Sequence, residues 1–117
     1  MDLLLYLAKK QSTKSTSIEQ ILQKRLNFNK AFNLPYSNDP TSIEHSRSKL
    51  QYDMMLEELV EYGEAENLTD VADALIDMQE ILFGMFAEHG MLHLWSELYS
   101  EVHNSNMSKL GDDGKPL

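Results

Sequence analysis

A long acidic stretch without a basic residue constrains how this chain can fold. Between Leu50 and Ser108 the sequence carries thirteen aspartates and glutamates and no lysine or arginine. The net charge of the whole chain is −9, so the other segments do not compensate for these acids. This distribution disfavours nucleic-acid binding, which needs a basic surface, and favours bound cations. The fold must therefore leave the carboxylates in solvent or gather them around a cation.

Capping residues and apolar spacing predict the first two helices. Ser17 is the predicted N-cap of the first helix, and Pro35 ends that segment. Thr41 and Glu44 have the spacing of a capping box for a second, long helix that runs to about Glu66.

The remaining sequence predicts two more helices. Thr69 is the predicted N-cap of a third helix over residues 70–88, which His89 and Gly90 end. A fourth helix follows over about residues 92–102 or beyond, and no segment alternates with the period of a strand. We predict an all-α four-helix bundle with a mobile N-terminal segment (1–16), a helical domain (17–110) and a C-terminal tail (111–117).

Composition narrows the class of protein further. A chain of 117 residues suits one domain, and the absence of cysteine excludes disulfides and thiolate metal sites. The apolar run at residues 3–8 is too short to span a bilayer and lacks the flanks of a signal peptide. We expect a cytoplasmic protein that binds neither membrane nor nucleic acid.

Two acidic stripes stand out at helical spacing. On each predicted helix, carboxylates three or four residues apart share one face and continue into apolar positions. If the two helices are antiparallel, their acids share a groove, which is costly unless they are protonated or bind a metal. Oxygen ligands favour Mg²⁺ or Mn²⁺, and Mg²⁺ often shares its shell with phosphates. The same spacing is equally typical of a solvated helix face. The stripes are Glu57, Glu58 and Glu61, then Asp70, Asp73 and Asp77.

Three stretches together resemble one family. EELVE at 57–61, followed by Asp70-x-x-Asp73, resembles the E-E-x-x-E…E-x-x-D signature of the MazG-like all-α nucleoside triphosphate pyrophosphohydrolases. FNKAFNLP at 28–35 and VHNSNMSKLGDDGKP at 102–116 resemble the branch related to phosphoribosyl-ATP pyrophosphohydrolase. The resemblance covers about residues 25–117. It implies a MazG-like bundle completed by assembly into a homodimer or homotetramer.

The resemblance also implies a reaction and a set of roles. The reaction is hydrolysis of a nucleoside triphosphate, NTP or dNTP, to monophosphate and pyrophosphate with Mg²⁺ or Mn²⁺. Glu57 would orient or deprotonate the attacking water, and Asp77 would support the metal ligands from one turn away. The predicted metal ligands are Glu58, Glu61, Asp70 and Asp73. The predicted phosphate contacts are Asn106, Lys109, Arg47 and Lys49, and the predicted base contacts are Phe28, Asn29 and Phe32.

Several of these residues also have a purely structural interpretation. Glu57, Arg47 and Lys49 could be solvated, Asn106 and Lys109 could belong to a helix end, and the two phenylalanines could be core. His103 is expected to be structural. Met54, Met55, Met78, Met85 and Trp95 are expected in the core or a subunit interface, and Glu66, Glu80 and Glu88 on the surface.

Two rival functions follow from the same helices. A ferritin-like di-iron bundle requires Glu-x-x-His, and no histidine here has a glutamate three residues before it, which excludes that class. A non-catalytic helical interaction module with an acidic surface remains the alternative. Metal-dependent release of pyrophosphate distinguishes the enzyme from that module.

Overall fold

The computed structural model describes Lys9 and residues 16–117, so most of the predicted N-terminal segment lies outside the described residues. The described part forms helices and turns and contains no β-strand, which confirms the predicted all-α fold. No helix in this part has both the length and the apolar character that a bilayer span requires. The elements are α1 (Ile18–Ala31), α2 (His45–Glu64), α3 (Leu68–Glu88), a 3-10 turn (Leu92–Leu94) and α4 (Trp95–Met107).

The ends of α1 follow from local sequence. The backbone N–H of Gln20 donates to Ser17 Oγ (3.2 Å), and the N–H of Ser17 donates to Gln20 Oε1 (2.9 Å), which confirms Ser17 as the N-cap. At the other end Asn33 adopts a positive φ of 54°, a conformation that asparagine tolerates better than most residues. The N–H of Leu34 then donates to the carbonyl of Asn29 at 2.8 Å and closes the turn.

The start of α2 differs from the prediction. The helix begins at His45, with Glu44 as an N-cap that makes no side-chain capping bond, so the capping box from Thr41 is wrong. The N–H of Thr41 donates to the carbonyl of His89 at 2.9 Å, and Nδ1 of His89 lies 2.9 Å from the carbonyl of Thr41. Thr41 therefore ties its loop to the end of α3 and does not start a helix.

The turn between α2 and α3 is short. Asn67 is the N-cap of α3, because its Oδ1 accepts the N–H of Asp70 at 2.9 Å. The prediction of Thr69 as N-cap is wrong, since an equally suitable capping residue precedes it and the helix begins at Leu68. The turn lets α2 and α3 pack against each other as an antiparallel pair, the most extensive contact between elements in the described part.

A buried ion pair fixes how α2 lies on α3. Glu88 is only 6% exposed, so its expected surface position is wrong. Arg47 donates from Nε and Nη2 to the Glu88 carboxylate at 3.0 and 2.8 Å, and Gln51 Nε2 donates at 2.9 Å. The hydrogen bond from Arg47 lowers the pKa of Glu88 below its usual value. The pair secures the start of α2 to the end of α3.

The core of a single chain is small. Leu22, Phe83, Ala87 and Leu92 form it where α1, the end of α3 and the 3-10 turn meet. Trp95 packs edge-on against Phe83, with ring centroids 5.8 Å apart. Helices α2 and α4 bury no residue fully, and large apolar side chains along α2 are exposed. These include Tyr52, Met54, Leu56, Leu59 and Val60.

Candidate active site

The antiparallel pair α2–α3 brings three carboxylates together. Glu58 and Glu61, three residues apart on α2, meet Asp77 from the middle of α3. One oxygen of each lies within 4.8 Å of the other two. The structure therefore joins the two acidic stripes that the sequence predicted, and the donor set consists only of oxygens.

One oxygen of this cluster lacks a partner. Oε2 of Glu58 is inaccessible to solvent, and no group of the described residues donates a hydrogen bond to it. A buried polar atom in that state is destabilising by roughly 1–3 kcal/mol in general. Its neighbours are carboxylates, which donate no hydrogen bond when ionised, and a proton or a cation would satisfy it. The residues present fit a hard divalent cation such as Mg²⁺ or Mn²⁺.

The electrostatics of the cluster agree with its geometry. The pKa of Glu58 is raised, and burial is the largest cause. A hydrogen bond with Glu61 and the negative charges around Glu58 raise the pKa further. Burial also raises the pKa of Asp77, together with the charges of Asp73, Glu61 and Glu80, while a hydrogen bond from Glu58 opposes this. Without a cation the cluster therefore holds a proton more tightly than isolated carboxyl groups do.

The structure separates the two predicted aspartate ligands. Asp73 is close enough for its charge to raise the pKa of both Glu58 and Asp77. Asp70 lies in the first turn of α3, where its Oδ2 accepts a bond from Asn67 Nδ2 at 3.1 Å. Asp77, which the sequence placed one turn beyond the ligands, lies in the cluster itself. Asp70 is instead engaged by Asn67 at the N-terminus of α3.

Glu57 lies on the open side of α2. It is exposed and shares a depression of about 520 Å³ with Asp53, Leu56, Val60 and Glu61. Since Glu61 belongs both to this depression and to the carboxylate cluster, Glu57 borders the solvent side of the candidate metal centre.

Most predicted phosphate contacts have other partners. Arg47 is engaged by Glu88, and Lys49 Nζ donates to Asp53 at 2.9 Å. Lys109 donates to Asn106 Oδ1 at 3.2 Å near the exposed end of α4. Of these three basic side chains, that of Lys109 is the one without a carboxylate partner among the described residues.

The predicted contacts to the nucleobase fall into two groups, two exposed residues and one buried residue. Phe28 and Phe32 are 41% and 65% exposed, with ring centroids 4.5 Å apart, so both can contact a planar ligand. Asn29 is 2% exposed and cannot do so. Its Oδ1 accepts a bond from Arg25 Nε at 3.0 Å, and its Nδ2 donates to the carbonyl of Pro35 at 3.1 Å. Asn29 therefore holds the end of α1 in place.

Sequence reasoning did not find Arg25. Its Nη1 donates to Glu80 Oε2 at 3.1 Å, and its guanidinium carbon lies 4.9 Å from the centroid of the Phe28 ring. The i, i+4 spacing to Asn29 was a local signal, but the partner on α3 is 55 residues away. Glu80, expected on the surface, is thus a paired residue.

Comparison with known proteins adds one match. A family model described as phosphoribosyl-ATP pyrophosphohydrolase matches residues 26–106. The matched region contains all of α2 and α3, with every carboxylate of the cluster, and extends to Asn106 on α4. Curated proteins gave no match.

Proposed function

Because the chain belongs to the phosphoribosyl-ATP pyrophosphohydrolase family, within the MazG-like superfamily, we propose that it hydrolyses nucleoside triphosphates to monophosphate and pyrophosphate. The family assignment indicates a pyrophosphohydrolase acting on nucleotides. The choice of NTP or dNTP as substrate and the dependence on Mg²⁺ or Mn²⁺ are our proposals for this chain.

The observation that carries the proposal is the carboxylate cluster with its unpartnered oxygen. Glu58, Glu61 and Asp77 would hold the cation, and Asp73 would complete the set. We assign Asp70 to the N-terminus of α3. When bound, a divalent cation supplies neutralisation of phosphate charge and a water of lowered pKa. A solvated acidic face would not bury an oxygen of Glu58 without a donor.

The other residues have separate tasks in the proposed reaction. Glu57, on the open side of the cluster, would accept the proton of the attacking water. Phe28 and Phe32 would stack on the nucleobase, since both rings are exposed and adjacent. Lys109 and Asn106 would contact the phosphates. Because α2 and α4 bury no residue, we also propose that the chain works as a homodimer or homotetramer.

One assay tests the proposal directly. Standard NTPs and dNTPs, with phosphoribosyl-ATP as the substrate that the family name implies, are incubated with Mg²⁺, Mn²⁺ or a chelator, and the products are resolved. We expect monophosphate and pyrophosphate in equal amounts with either metal and none with the chelator. Release of diphosphate and phosphate would contradict the proposed bond cleavage. Absence of hydrolysis for every compound would favour the interaction module.

A further inference from the structure

A single guanidinium joins the aromatic pair on α1 to the acidic side of α3. Arg25 has a side chain only 12% exposed. It donates to Asn29 at 3.0 Å and to Glu80 at 3.1 Å and lies over the Phe28 ring. With Nε engaged on α1 and Nη1 engaged on α3, the side chain has little freedom to turn.

The backbone of α3 makes room for this guanidinium. Gly84 is buried one turn after Glu80, and a Cβ built there would lie 2.7 Å from Nη2 of Arg25. Any larger residue at this position would displace the guanidinium. The glycine and the arginine therefore fit each other as a pair.

Glu80 stands beside the candidate metal centre. It follows Asp77 by three residues on α3, so the two side chains are neighbours on the helix surface. The side chain of Glu80 is 47% exposed, and its carboxylate is held by Arg25 of α1. Without that bond the carboxylate could turn towards Glu58, Glu61 and Asp77 as an additional ligand or charge.

We propose that Arg25 is a positioning residue that withholds Glu80 from the metal centre and holds the Phe28 ring in place. This inference rests on the proposed function. With an additional carboxylate the centre would bind a hard cation more tightly. That carboxylate would also neutralise part of the cation's positive charge, which the substrate phosphates need for their own binding. Arg25 thus leaves the positive charge of the bound cation available to the substrate phosphates, and its guanidinium holds the Phe28 ring.

The first test measures Mn²⁺ binding to the full chain by calorimetry without nucleotide, at a temperature where each variant is folded by circular dichroism. Arg25→Met should tighten Mn²⁺ binding about fivefold, because the freed Glu80 adds its charge to the centre. Adding Glu80→Gln to that variant should restore affinity to within about twofold of wild type, as expected for coupled residues. Glu80→Gln alone should change it by less than about twofold.

Two further variants separate positioning from loss of charge or loss of stability. Gly84→Ala keeps the charge of Arg25 but displaces its guanidinium, so it should tighten Mn²⁺ binding in the same sense and respond equally to Glu80→Gln. Lys24→Met removes a neighbouring exposed charge and should leave affinity within about twofold. In the active enzyme, Arg25→Met should raise KM about fivefold or more with a smaller change in kcat.

The results that overturn the inference are specific. Unchanged Mn²⁺ affinity in folded Arg25→Met would do so, as would tightening that persists with Glu80→Gln. A large loss of affinity in Glu80→Gln alone would show that Glu80 is already a ligand. Wild-type protein that binds Mn²⁺ but cleaves no nucleotide contradicts the proposed function alone, whereas failure to bind Mn²⁺ overturns both.

Discussion

At the scale of single residues, Asp70 and Asp77 occupy different surroundings, and we expect Asp77 rather than Asp70 to hold the cation. Asp77 lies in the cluster, while Asp70 binds Asn67 at the start of α3. Asp77→Asn keeps the shape of the side chain and deletes one cluster charge. It should lower turnover about 100-fold or more, since charge stabilisation at the metal centre carries much of the rate. Steady-state kinetics at saturating Mg²⁺ measure this.

Two controls accompany that variant. Asp70→Asn should retain turnover within about tenfold and cost about 0.5–1 kcal/mol of stability through the weakened helix N-terminus. Glu66→Gln, at an exposed position beyond the end of α2, should behave as wild type. Equal losses in Asp77→Asn and Asp70→Asn would restore Asp70 as a ligand.

The raised pKa of Glu58 predicts a pH dependence of stability. A carboxyl whose pKa is higher in the folded state favours folding when protonated, so its contribution to stability is lost as pH rises. The window opens at the usual value of 4.5 and extends to higher pH, because the pKa shift is upward. In cation-free protein, Glu58→Gln should therefore melt progressively higher than wild type across this window.

Thermal melts with and without Mg²⁺ check this prediction. At neutral pH millimolar Mg²⁺ should raise the melting temperature of wild type by binding the folded state, and should raise that of Glu58→Gln less. Glu88 acts in the opposite sense, since its lowered pKa gives stability that is lost below its usual value. A difference between wild type and Glu58→Gln that is constant with pH would contradict the raised pKa of Glu58.

At the scale of secondary-structure elements, the Arg47–Glu88 pair holds α2 against α3. Arg47→Met leaves the buried carboxylate of Glu88 with Gln51 as its remaining donor. The expected loss is about 2–4 kcal/mol of unfolding free energy, because a buried charge without its partner is strongly destabilising. Denaturant unfolding at neutral pH measures it.

An exposed pair on the same helix provides the matched control. Lys49 and Asp53 are four residues apart, and their side chains are 62% and 47% exposed. Lys49→Met should therefore cost less than about 0.5 kcal/mol. If the two variants were equally stable, the pair between α2 and α3 would have no special structural role.

The helices were predictable because their signals are local. The capping box of Ser17 and the stop at His89 and Gly90 lie next to the elements they bound. Predictions failed where a distant partner competed. Thr41 forms a hydrogen bond with His89 at the end of α3. The carboxylate of Glu88 accepts hydrogen bonds from Arg47, which lies 41 positions earlier in the sequence. Nothing in the spacing of these residues encodes such contacts.

The site was partly predictable for the same reason. Spacing alone identified Glu58 and Glu61 as a pair on one helix face. The choice of Asp77 depends on how α3 sits against α2 after a short turn, and a periodic pattern on one helix does not report that offset. The Arg25–Glu80 pair joins residues 55 apart and has no counterpart in local pattern.

At the scale of the whole molecule, one chain leaves its helices incompletely packed. The radius of gyration is 17.3 Å, whereas a compact domain of 100 residues has about 13 Å. Helix α4 packs mainly against the adjoining 3-10 turn and keeps Leu98, Tyr99 and Val102 exposed. We expect these exposed apolar side chains to lie in an interface between copies of the chain.

The outer face of α2 is the place to test assembly. Leu56, Leu59 and Val60 are 45%, 52% and 49% exposed, and none of them belongs to the carboxylate cluster. A two-fold interface buries the same patch of both copies, so we expect wild type to sediment at two or four times the chain mass of 13.5 kDa. Leu59→Arg places a charge in that interface and should shift the population to the single chain, with a lower melting temperature.

Ser46→Arg, at an exposed position near the start of α2, adds the same charge and should leave assembly intact. Wild type that sediments only at 13.5 kDa at micromolar concentration would show that the outer face of α2 stays in solvent.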